Sequence, residues 1–358
     1  MHILYQFNEK YAPFAGVSMT SLFENNKTAE SICVYILGEN LSAKSLERLN
    51  TLAESYGPGR KMIFVDSSSL IETMKQLNMP TYRGSYAANM RLFVEYLFDA
   101  EISALPDRLL YLDADTIVCG NLEGLFIENN ELETEAESEA KSGDLAPLKI
   151  KTLGMVYDTL GCFHKYGIGL TEEDGYYNSG VILYDVKKWI DGKYTEKIIE
   201  HVKNVRAQYP SPDQDLLNVV LRGEITPLPI RYNYQPHLKD YSYRTYMKCF
   251  KPYPFCGEEE VAKAGAVILH AFRYLGEFPW HKGNLHPFTE QFDKYLALSP
   301  WKDYEKEKSG AGAVMAIEKM LYHILPGFVF LRLFKIMHGR FYKRADRLSK
   351  ESRISSRM

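Results

Sequence analysis

The sequence lacks paired cysteine motifs, long apolar stretches and a secretory signal. Its five cysteines form no Cys-x-x-Cys pair and leave one unpaired, which predicts reduced thiols rather than a disulfide framework or a zinc knuckle. No uninterrupted apolar stretch reaches about 18 residues, so we expect no membrane-spanning helix. The first residues enter an apolar run without the basic and long apolar regions of a secretory signal. We therefore expect a cytoplasmic protein.

Acidic and basic residues are nearly equal in number, but they are unevenly distributed along the chain. The net charge of −3 gives no electrostatic reason to expect nucleic-acid binding. Residues 128–140 contain six Glu and no basic residue, and they predict an exposed acidic insertion over about 128–145. Residues 331–358 contain nine Lys or Arg against two acidic residues. An acidic body therefore ends in a basic tail.

Apolar periodicity along the chain predicts an α/β fold. In the first third, strand-like segments alternate with helix-like ones, a pattern typical of a parallel sheet covered by helices. The predicted strands there are 2–7, 31–37, 61–65 and 108–112, and the predicted helices are 12–25, 41–56, 69–77 and 86–98. Later strands are predicted over 153–156, 180–184 and 266–269, and helices over 185–201, 213–222 and 311–345, the last interrupted at Pro326. The Tyr- and Pro-rich segment 226–256 is expected to form irregular binding loops.

Two carboxylates follow the predicted strand 108–112. Asp113 and Asp115 are separated only by Ala114, and ligands of open α/β sheets bind beyond the carboxyl ends of the strands. Carboxylate oxygens at such a turn suit Mg²⁺ or Mn²⁺, which offset the charge of phosphate oxygens. An Asp-x-Asp pair is also common in ordinary surface turns, and this alternative stays open at this point.

Other polar residues stand at the ends of predicted elements. Asn178 and Ser179 directly precede a predicted strand, where Asn178 could bind sugar hydroxyls or simply form a turn. Asp213 stands at the start of a predicted helix and could be a plain N-cap. His270 ends a predicted strand, and a lone His is more often structural than a metal ligand. The Asp pair earlier in the chain nevertheless makes His270 a candidate ligand.

Four segments, taken together, carry a family resemblance. They are YLDADTIV (111–118), YYNSGVILYDVKKW (176–189), SPDQDLLN (211–218) and HAFRYLGEFPWHKG (270–283). They resemble glycosyltransferase family 8, which includes bacterial lipooligosaccharide galactosyl- and glucosyltransferases and glycogenin. The resemblance extends over about 1–290 and implies a GT-A fold, with a Rossmann-like, mostly parallel sheet flanked by helices. It also implies retaining transfer of glucose or galactose from a UDP-sugar to a saccharide hydroxyl, with Mn²⁺ or Mg²⁺, in the synthesis of a cell-surface polysaccharide or lipooligosaccharide.

The resemblance further implies roles for individual residues. It implies metal ligation by Asp113, Asp115 and His270, and a position beneath the anomeric carbon of the donor for Asp213 and Gln214. Donor contacts are implied for Gln6, Asn8, Arg91, Asp113, Ala114, Asp158, Asn178 and Ser179, with Gln6 and Asn8 at the uracil. The family lysine before Pro-Trp is missing, since Phe278 precedes Pro279. Arg273 or Lys282 is expected to replace it.

The reaction itself leaves alternatives open. Gln214 is a poor nucleophile, which favours attack by the acceptor on the face that UDP leaves, with Gln214 steadying the sugar ring. Asp213 could instead bind a sugar hydroxyl. An Asp-x-Asp pair also serves metal-dependent nucleotidyltransferases and phosphohydrolases, although the sequence has no P-loop. A catalytically inactive glycan-binding relative is a further alternative.

The segment after Pro326 alternates bulky apolar side chains with Lys and Arg. Arg332 and Lys335 interrupt it too early for a spanning helix, but an interfacial helix tolerates them on its polar face. We expect residues 291–358 to form a helical basic extension that holds the enzyme peripherally on an anionic membrane, which would suit a lipid-linked saccharide acceptor. The alternative is that this helix packs its apolar face against the catalytic domain, 1–290.

Overall fold

The computed structural model describes residues 1–82, 84–98, 106–127, 148–205, 209–241, 243–250, 265–310 and 312–340. The predicted acidic insertion at 128–145 and the tail beyond residue 340 lie outside these residues, as does Cys256. The other four cysteines are free thiols.

A seven-stranded sheet forms the centre of the molecule. Its strands are β1 (His2–Asn8), β2 (Ile32–Glu39), β3 (Arg60–Val65), β4 (Arg108–Leu112), β6 (Leu153–Tyr157), β7 (Tyr177–Asp185) and β8 (Ile225–Pro227), in the spatial order β3-β2-β1-β4-β7-β6-β8. Strands β1 to β4 pair in parallel, as do β6 and β8, whereas β7 is antiparallel to both of its neighbours. A separate two-stranded sheet pairs β5 (Thr116–Val118) with β9 (Ile268–His270). The mostly parallel sheet confirms the predicted α/β class.

Helices flank this sheet. They are Ala12–Asn25, Ala43–Ser55, Ser68–Gln76, Gly161–His164, Val186–Asp191, Tyr194–Asn204, Pro212–Val220, Pro236–Asp240, Tyr243–Phe250, Thr289–Leu298, Ala313–Ile324 and 327–340. Alternate residues of β1 point to opposite faces, because Ile3 and Tyr5 join one buried apolar cluster and Leu4 joins the other. Burial of both faces explains why β1, β2 and β4 read as continuous apolar runs in the sequence, whereas β3, at the edge of the sheet, is only partly buried.

The helix predicted over 86–98 is not one continuous helix. The structure has two 3-10 segments there, Ala87–Leu92 and Val94–Leu97. One cause is competition for a backbone carbonyl that an α-helix would use internally. The Ala88 carbonyl accepts a hydrogen bond from the Gln6 side-chain nitrogen at 2.9 Å. The Arg91 side chain donates to the same carbonyl at 3.0 Å, so two side chains occupy an acceptor that a regular helix would use internally.

Two later predictions also need correction. The single helix expected over 185–201 is two helices, separated by Gly192 and by Lys193, whose φ of 52° is left-handed and breaks the helical path. The irregular structure expected over 226–256 is wrong where two short helices form, Pro236–Asp240 and Tyr243–Phe250. The first begins with Pro236, a position where the missing amide hydrogen costs nothing.

The last two helices, Ala313–Ile324 and 327–340, are separated at Pro326 as predicted. Phe330, Leu331 and Phe334 of the second are buried in the same apolar cluster as one face of the sheet. In the part of the chain that the structure describes, no helix is both long enough and apolar enough to cross a membrane.

Candidate active site

The Asp-x-Asp turn is anchored at the end of β4. The Asp113 amide donates to the Gly180 carbonyl on β7 at 2.8 Å, and the Thr116 amide and hydroxyl both donate to the Asp113 carbonyl, at 3.1 and 2.8 Å. Strand β5 then pairs with β9, which sets Thr116 opposite His270. This pairing brings a histidine from far along the chain to Asp113 and Asp115.

Asp113, Asp115 and His270 form a compact set of metal-type ligands. One ligand atom from each lies within 4.8 Å of the others. The His270 Nε2 atom is 3.5 Å from Asp113 Oδ2 and 3.3 Å from Asp115 Oδ1. Two carboxylate oxygens and one imidazole nitrogen suit a divalent ion that also takes oxygen ligands from a substrate. The three side chains therefore fit a divalent metal.

The His270 ring is held by neighbours that were not all predicted. Its Nδ1 lies 3.0 Å from Asn178 Oδ1 and 3.1 Å from Asn233 Oδ1. Because an amide oxygen only accepts, Nδ1 carries a proton and Nε2 faces the carboxylates. Contacts of this kind orient histidines that bind metals. Asn233 lies in the Tyr- and Pro-rich segment, where no motif marks it, and only the fold reveals it.

The charges of the cluster shift each other's ionisation. Burial acts to raise the pKa of Asp113, but the Arg91 guanidinium and His270 hold that pKa well below its usual value. Burial acts to lower the pKa of His270, but hydrogen bonds to Asp113 and Asp115 outweigh it and raise the pKa to about 9. The Asp113 carboxylate is thus ionised and able to bind a cation.

Arg91 joins the metal-type cluster to the second half of the site. Its guanidinium is 2.9 Å from Asp113 Oδ1 and 3.3 Å from Asp213 Oδ2, and it donates to the Ser179 carbonyl at 2.7 Å. The guanidinium carbon lies 4.1 Å from the centre of the Tyr111 ring, and the Tyr111 hydroxyl donates to Asp113. Tyr111 was not predicted, although it lies two residues before Asp113 on the same face of the chain.

A polar network connects the other predicted residues. The Ser179 hydroxyl donates to Asp213 Oδ2 at 2.8 Å, and the Ser179 amide donates to Gln214 Oε1 at 3.0 Å. Asp158 Oδ2 accepts from Asn178 Nδ2 at 2.9 Å and from Gln214 Nε2 at 3.1 Å. Both ends of the Gln214 amide are therefore fixed, and the five side chains form one connected surface.

The interpretation of Asp213 as a helix N-cap is wrong. The helix Pro212–Val220 is preceded by Ser211, and Asp213 lies in its first turn, turned toward the site. Asp215, which the sequence interpretation missed, accepts from the Ser211 amide at 2.9 Å and from the Tyr176 hydroxyl at 2.6 Å. Burial raises the pKa of Asp215 to about 7.

The remaining predicted residues lie at different distances from this network. Ala114 is nearly buried between the two aspartates. The side-chain oxygens of Gln6 and Asn8, at the carboxyl end of β1, are buried and have no hydrogen-bond partner among the described residues. Lys282 has an exposed side chain, and its amide donates to the Glu307 carbonyl at 2.8 Å. Of the two predicted substitutes for the missing lysine, Arg273 has its guanidinium 5.5 Å from the Phe278 ring.

The known proteins that this chain resembles include glycosyltransferases. The chain is 28% identical to lipopolysaccharide 1,2-glucosyltransferase of Escherichia coli K12 over 332 residues, which cover 91% of this chain and 85% of that one. It is 25% identical to lipopolysaccharide 1,3-galactosyltransferase of Salmonella typhimurium, covering 84% and 79%. Among solved structures, galactosyltransferase LgtC with donor and acceptor sugar analogues aligns with a TM-score of 0.57 at 21% identity, covering 84% of this chain and 96% of that one.

These structural neighbours show that the α/β architecture is the GT-A fold. The family model for glycosyl transferase family 8 matches residues 2–255, well over half of the chain. His270 lies beyond the matched residues and reaches the site through the pairing of β9 with β5. The chain belongs to glycosyl transferase family 8.

Proposed function

We propose that this protein is a retaining hexosyltransferase that moves glucose or galactose from a UDP-sugar to a hydroxyl of a saccharide acceptor. The observation that carries this proposal is the single network that joins Asp113, Asp115 and His270 to Asp213 and Gln214 through Arg91 and Ser179. A metal-type ligand set and a set of sugar-type hydrogen-bonding groups thus face one place at the carboxyl end of β4.

Asp113, Asp115 and His270 would hold the divalent ion, Mn²⁺ or Mg²⁺. When bound, that ion supplies positive charge for the phosphate oxygens of the leaving UDP. Arg91 adds a fixed positive charge, since its guanidinium lies 2.9 Å from Asp113 Oδ1. Gln6 and Asn8 offer acceptor oxygens at the end of β1 that have no partner among the residues the structure describes, and these oxygens suit an N–H of the donor base.

Asp158, Asn178 and Ser179 present the donors and acceptors that sugar hydroxyls require. Gln214 is a neutral amide fixed at both ends, and it lacks the charge of a carboxylate nucleophile or base. This favours attack by the acceptor hydroxyl on the face that UDP leaves, with Gln214 and Asp213 beneath the sugar ring. The anomeric configuration would then be retained.

The acceptor is proposed to be a saccharide of a lipopolysaccharide or lipooligosaccharide, because curated relatives are named as lipopolysaccharide glucosyl- and galactosyltransferases. Such an acceptor is carried on lipid. A peripheral position on the cytoplasmic face of the membrane would bring the site to it.

The surface of the last two helices supports such a position. Of the thirteen large apolar side chains exposed in the described residues, eight lie on Ala313–Ile324 and 327–340. They are Val314, Ile317, Met320, Ile324, Phe328, Leu333, Ile336 and Met337. The packing alternative accounts for Phe330, Leu331 and Phe334, which are buried, and for Leu321, Tyr322 and Leu325, which pack partly buried against the same cluster. We propose that the exposed set, with the basic residues around it, rests on anionic lipid.

The direct test of the transferase proposal is UDP release from a panel of UDP-sugars with a soluble saccharide acceptor, with Mn²⁺ and with EDTA. Turnover of UDP-glucose or UDP-galactose that depends on Mn²⁺ or Mg²⁺ is expected. Equal turnover in EDTA would contradict the metal role. Absence of release from every UDP-sugar would favour the glycan-binding alternative, and release of nucleoside monophosphate would favour a phosphohydrolase.

A further inference from the structure

The chain makes a tight hairpin shortly after His270. The Tyr274 amide donates to the Glu277 carbonyl at 2.8 Å, and the Glu277 amide donates to the Tyr274 carbonyl at 2.9 Å. The two residues between them, Leu275 and Gly276, have φ values of 47° and 77°. This is the left-handed conformation that a two-residue β-hairpin turn needs, and it defines the shape of the tip.

One face of the helix Ala313–Ile324 packs against this hairpin. A Cβ on Gly276 would lie 2.3 Å from Met315 Sδ, so the tip lies directly against that side chain. One turn further along the helix, Lys319 forms an ion pair with Glu277. Met315 and Lys319 are four residues apart and therefore share a face of the helix.

A third contact of the same helix face fixes the base of the hairpin. The Tyr322 hydroxyl donates to Asp240 Oδ2 at 2.8 Å, and the Tyr274 hydroxyl donates to the same oxygen at 2.6 Å. The helix and the hairpin thus share one carboxylate. Tyr322 lies three residues after Lys319, so the helix uses one continuous stripe for all these contacts.

The Lys319–Glu277 pair is well placed to hold its partner elements in register. The Glu277 side chain is 3% exposed and that of Lys319 24%. The second Glu277 oxygen accepts from the Leu285 amide at 3.2 Å. Loss of Lys319 would leave a buried carboxylate without its cation, which a protein avoids by moving the segment toward water.

Only three residues, 271–273, connect the hairpin to His270. The Phe272 ring meets the His270 ring edge to face, with centres 5.0 Å apart, and the Ala271 amide donates to the Asp115 carbonyl at 2.8 Å. A displacement of the hairpin therefore reaches both the histidine and one aspartate of the metal-type cluster.

We propose that the helix Ala313–Ile324 is a positioning element for the metal site, acting through Lys319 and Glu277 on the hairpin and through the hairpin on His270. This inference rests on the proposed metal role of Asp113, Asp115 and His270. The C-terminal extension then has a task inside the catalytic unit, on the face opposite its exposed apolar side chains.

The test measures Mn²⁺ binding to the full-length protein by electron paramagnetic resonance of the free ion, without donor or acceptor. Lys319→Met and Glu277→Gln are each expected to weaken Mn²⁺ binding, by about three- to ten-fold, less than loss of a direct contact to a ligand. Lys319→Arg should restore wild-type binding. Lys306→Met is the matched control, because Lys306 is 22% exposed and pairs at 2.5 Å with Asp293 of the helix Thr289–Leu298, not with a residue of the hairpin.

The outcomes separate the two proposals. Wild-type protein that binds no Mn²⁺ overturns the metal role and this inference with it. Wild-type protein that binds Mn²⁺ while Lys319→Met and Glu277→Gln bind equally well overturns the inference alone. A Lys306→Met variant that is weakened as much as Lys319→Met would also overturn it, since the effect would then follow from loss of any lysine in the extension. If Lys319→Met does not fold, Met315→Ala replaces it in the comparison.

Discussion

Gly180 lies so close to His270 that a Cβ at position 180 would be 2.0 Å from the Cε1 atom of the ring and 2.5 Å from its Nδ1 atom. Backbone of β7 therefore forms one wall of the histidine's pocket, and the ring's place is set by the absence of a side chain. The same glycine accepts the Asp113 amide at 2.8 Å through its carbonyl. One residue thus positions two members of the metal-type cluster.

Gly180→Ala should displace the His270 ring and reduce transfer by about 10- to 100-fold, because the added methyl group occupies the ring's position. Steady-state UDP release checks this. Gly120→Ala is the control, since its Cβ would make an ordinary 3.4 Å contact with Val267. Activity of Gly180→Ala equal to that of the control would contradict the role given to His270.

Asp113→Asn and Asp115→Asn should each remove most metal-dependent activity, but their effects on stability should differ. Arg91 is buried and pairs with Asp113 at 2.9 Å, so Asp113→Asn should lower the free energy of unfolding by about 1–3 kcal/mol in EDTA. Asp115 has its described ion pair with His270 alone, and its variant should lose less. Urea unfolding measures both. Equal losses, or near-wild-type activity in either variant, would contradict this account.

The buried Asp215 should make stability depend on pH. Burial raises its pKa to about 7 in the folded protein, against 3.8 for a free aspartate. Between these values the folded state keeps a proton that the unfolded state has lost. Stability from this group is therefore full below pH 3.8 and declines as the pH rises toward 7, by up to about 1.4 kcal/mol per unit.

Asp215→Asn should remove this decline. The measurement is the free energy of unfolding at pH 5 and pH 7.5 for wild type and variant, because the difference between the two proteins cancels the contribution of other groups. An identical change with pH in both proteins would show that Asp215 is ionised throughout.

The product of the reaction should keep the α configuration of the donor. Gln214, held between the Ser179 amide and Asp158, is an amide and cannot activate a hydroxyl as a base, and the neighbouring Asp213 carboxylate is paired with Arg91 and accepts from Ser179. The coupling constant of the anomeric proton in the NMR spectrum of the purified disaccharide product decides this. A β-linked product would refute the proposed retaining reaction.

Ile317→Ser and Ile324→Ser should weaken sedimentation with vesicles containing anionic lipid, because both side chains are more than half exposed on the terminal helices. Leu298→Ser is the control, with a similar exposure of 54% on another helix. Wild-type protein that does not sediment at low salt would contradict the membrane proposal. Self-association that these variants abolish would instead assign the surface to a second copy of the chain.

The sequence predicts the fold correctly where burial of an element produces a simple apolar pattern along the chain. Strands β1, β2 and β4 are buried on both faces and appear as apolar runs, so their prediction needed no tertiary information. The helix prediction for 86–98 failed because backbone carbonyl groups of this segment accept hydrogen bonds from side chains of the sheet, as the Ala88 carbonyl does from Gln6. That competition depends on residues about eighty positions away and leaves no local signal.

The candidate site divides in the same way. Asp113, Asn178 and His270 each stand where a strand begins or ends. The resemblance of their segments to the motifs of glycosyltransferase family 8 indicated all three together. Asn233 and Lys319 have no such position in the sequence. Asn233 contacts His270 from the end of a short 3-10 turn, and Lys319 pairs with Glu277 of the hairpin from the helix Ala313–Ile324. Residues that act by holding others are visible only once the chain is folded.

The pairing of β5 with β9 has a consequence for how the protein is made. Asp113 and Asp115 leave the ribosome more than a third of the chain before His270 does. Contacts between such distant segments form slowly, after the elements between them have folded. A nascent chain that already contains the first four strands of the sheet therefore exposes an aspartate pair without its histidine. The complete ligand set first exists when β9 adds to β5, so the site cannot assemble until His270 has been synthesised.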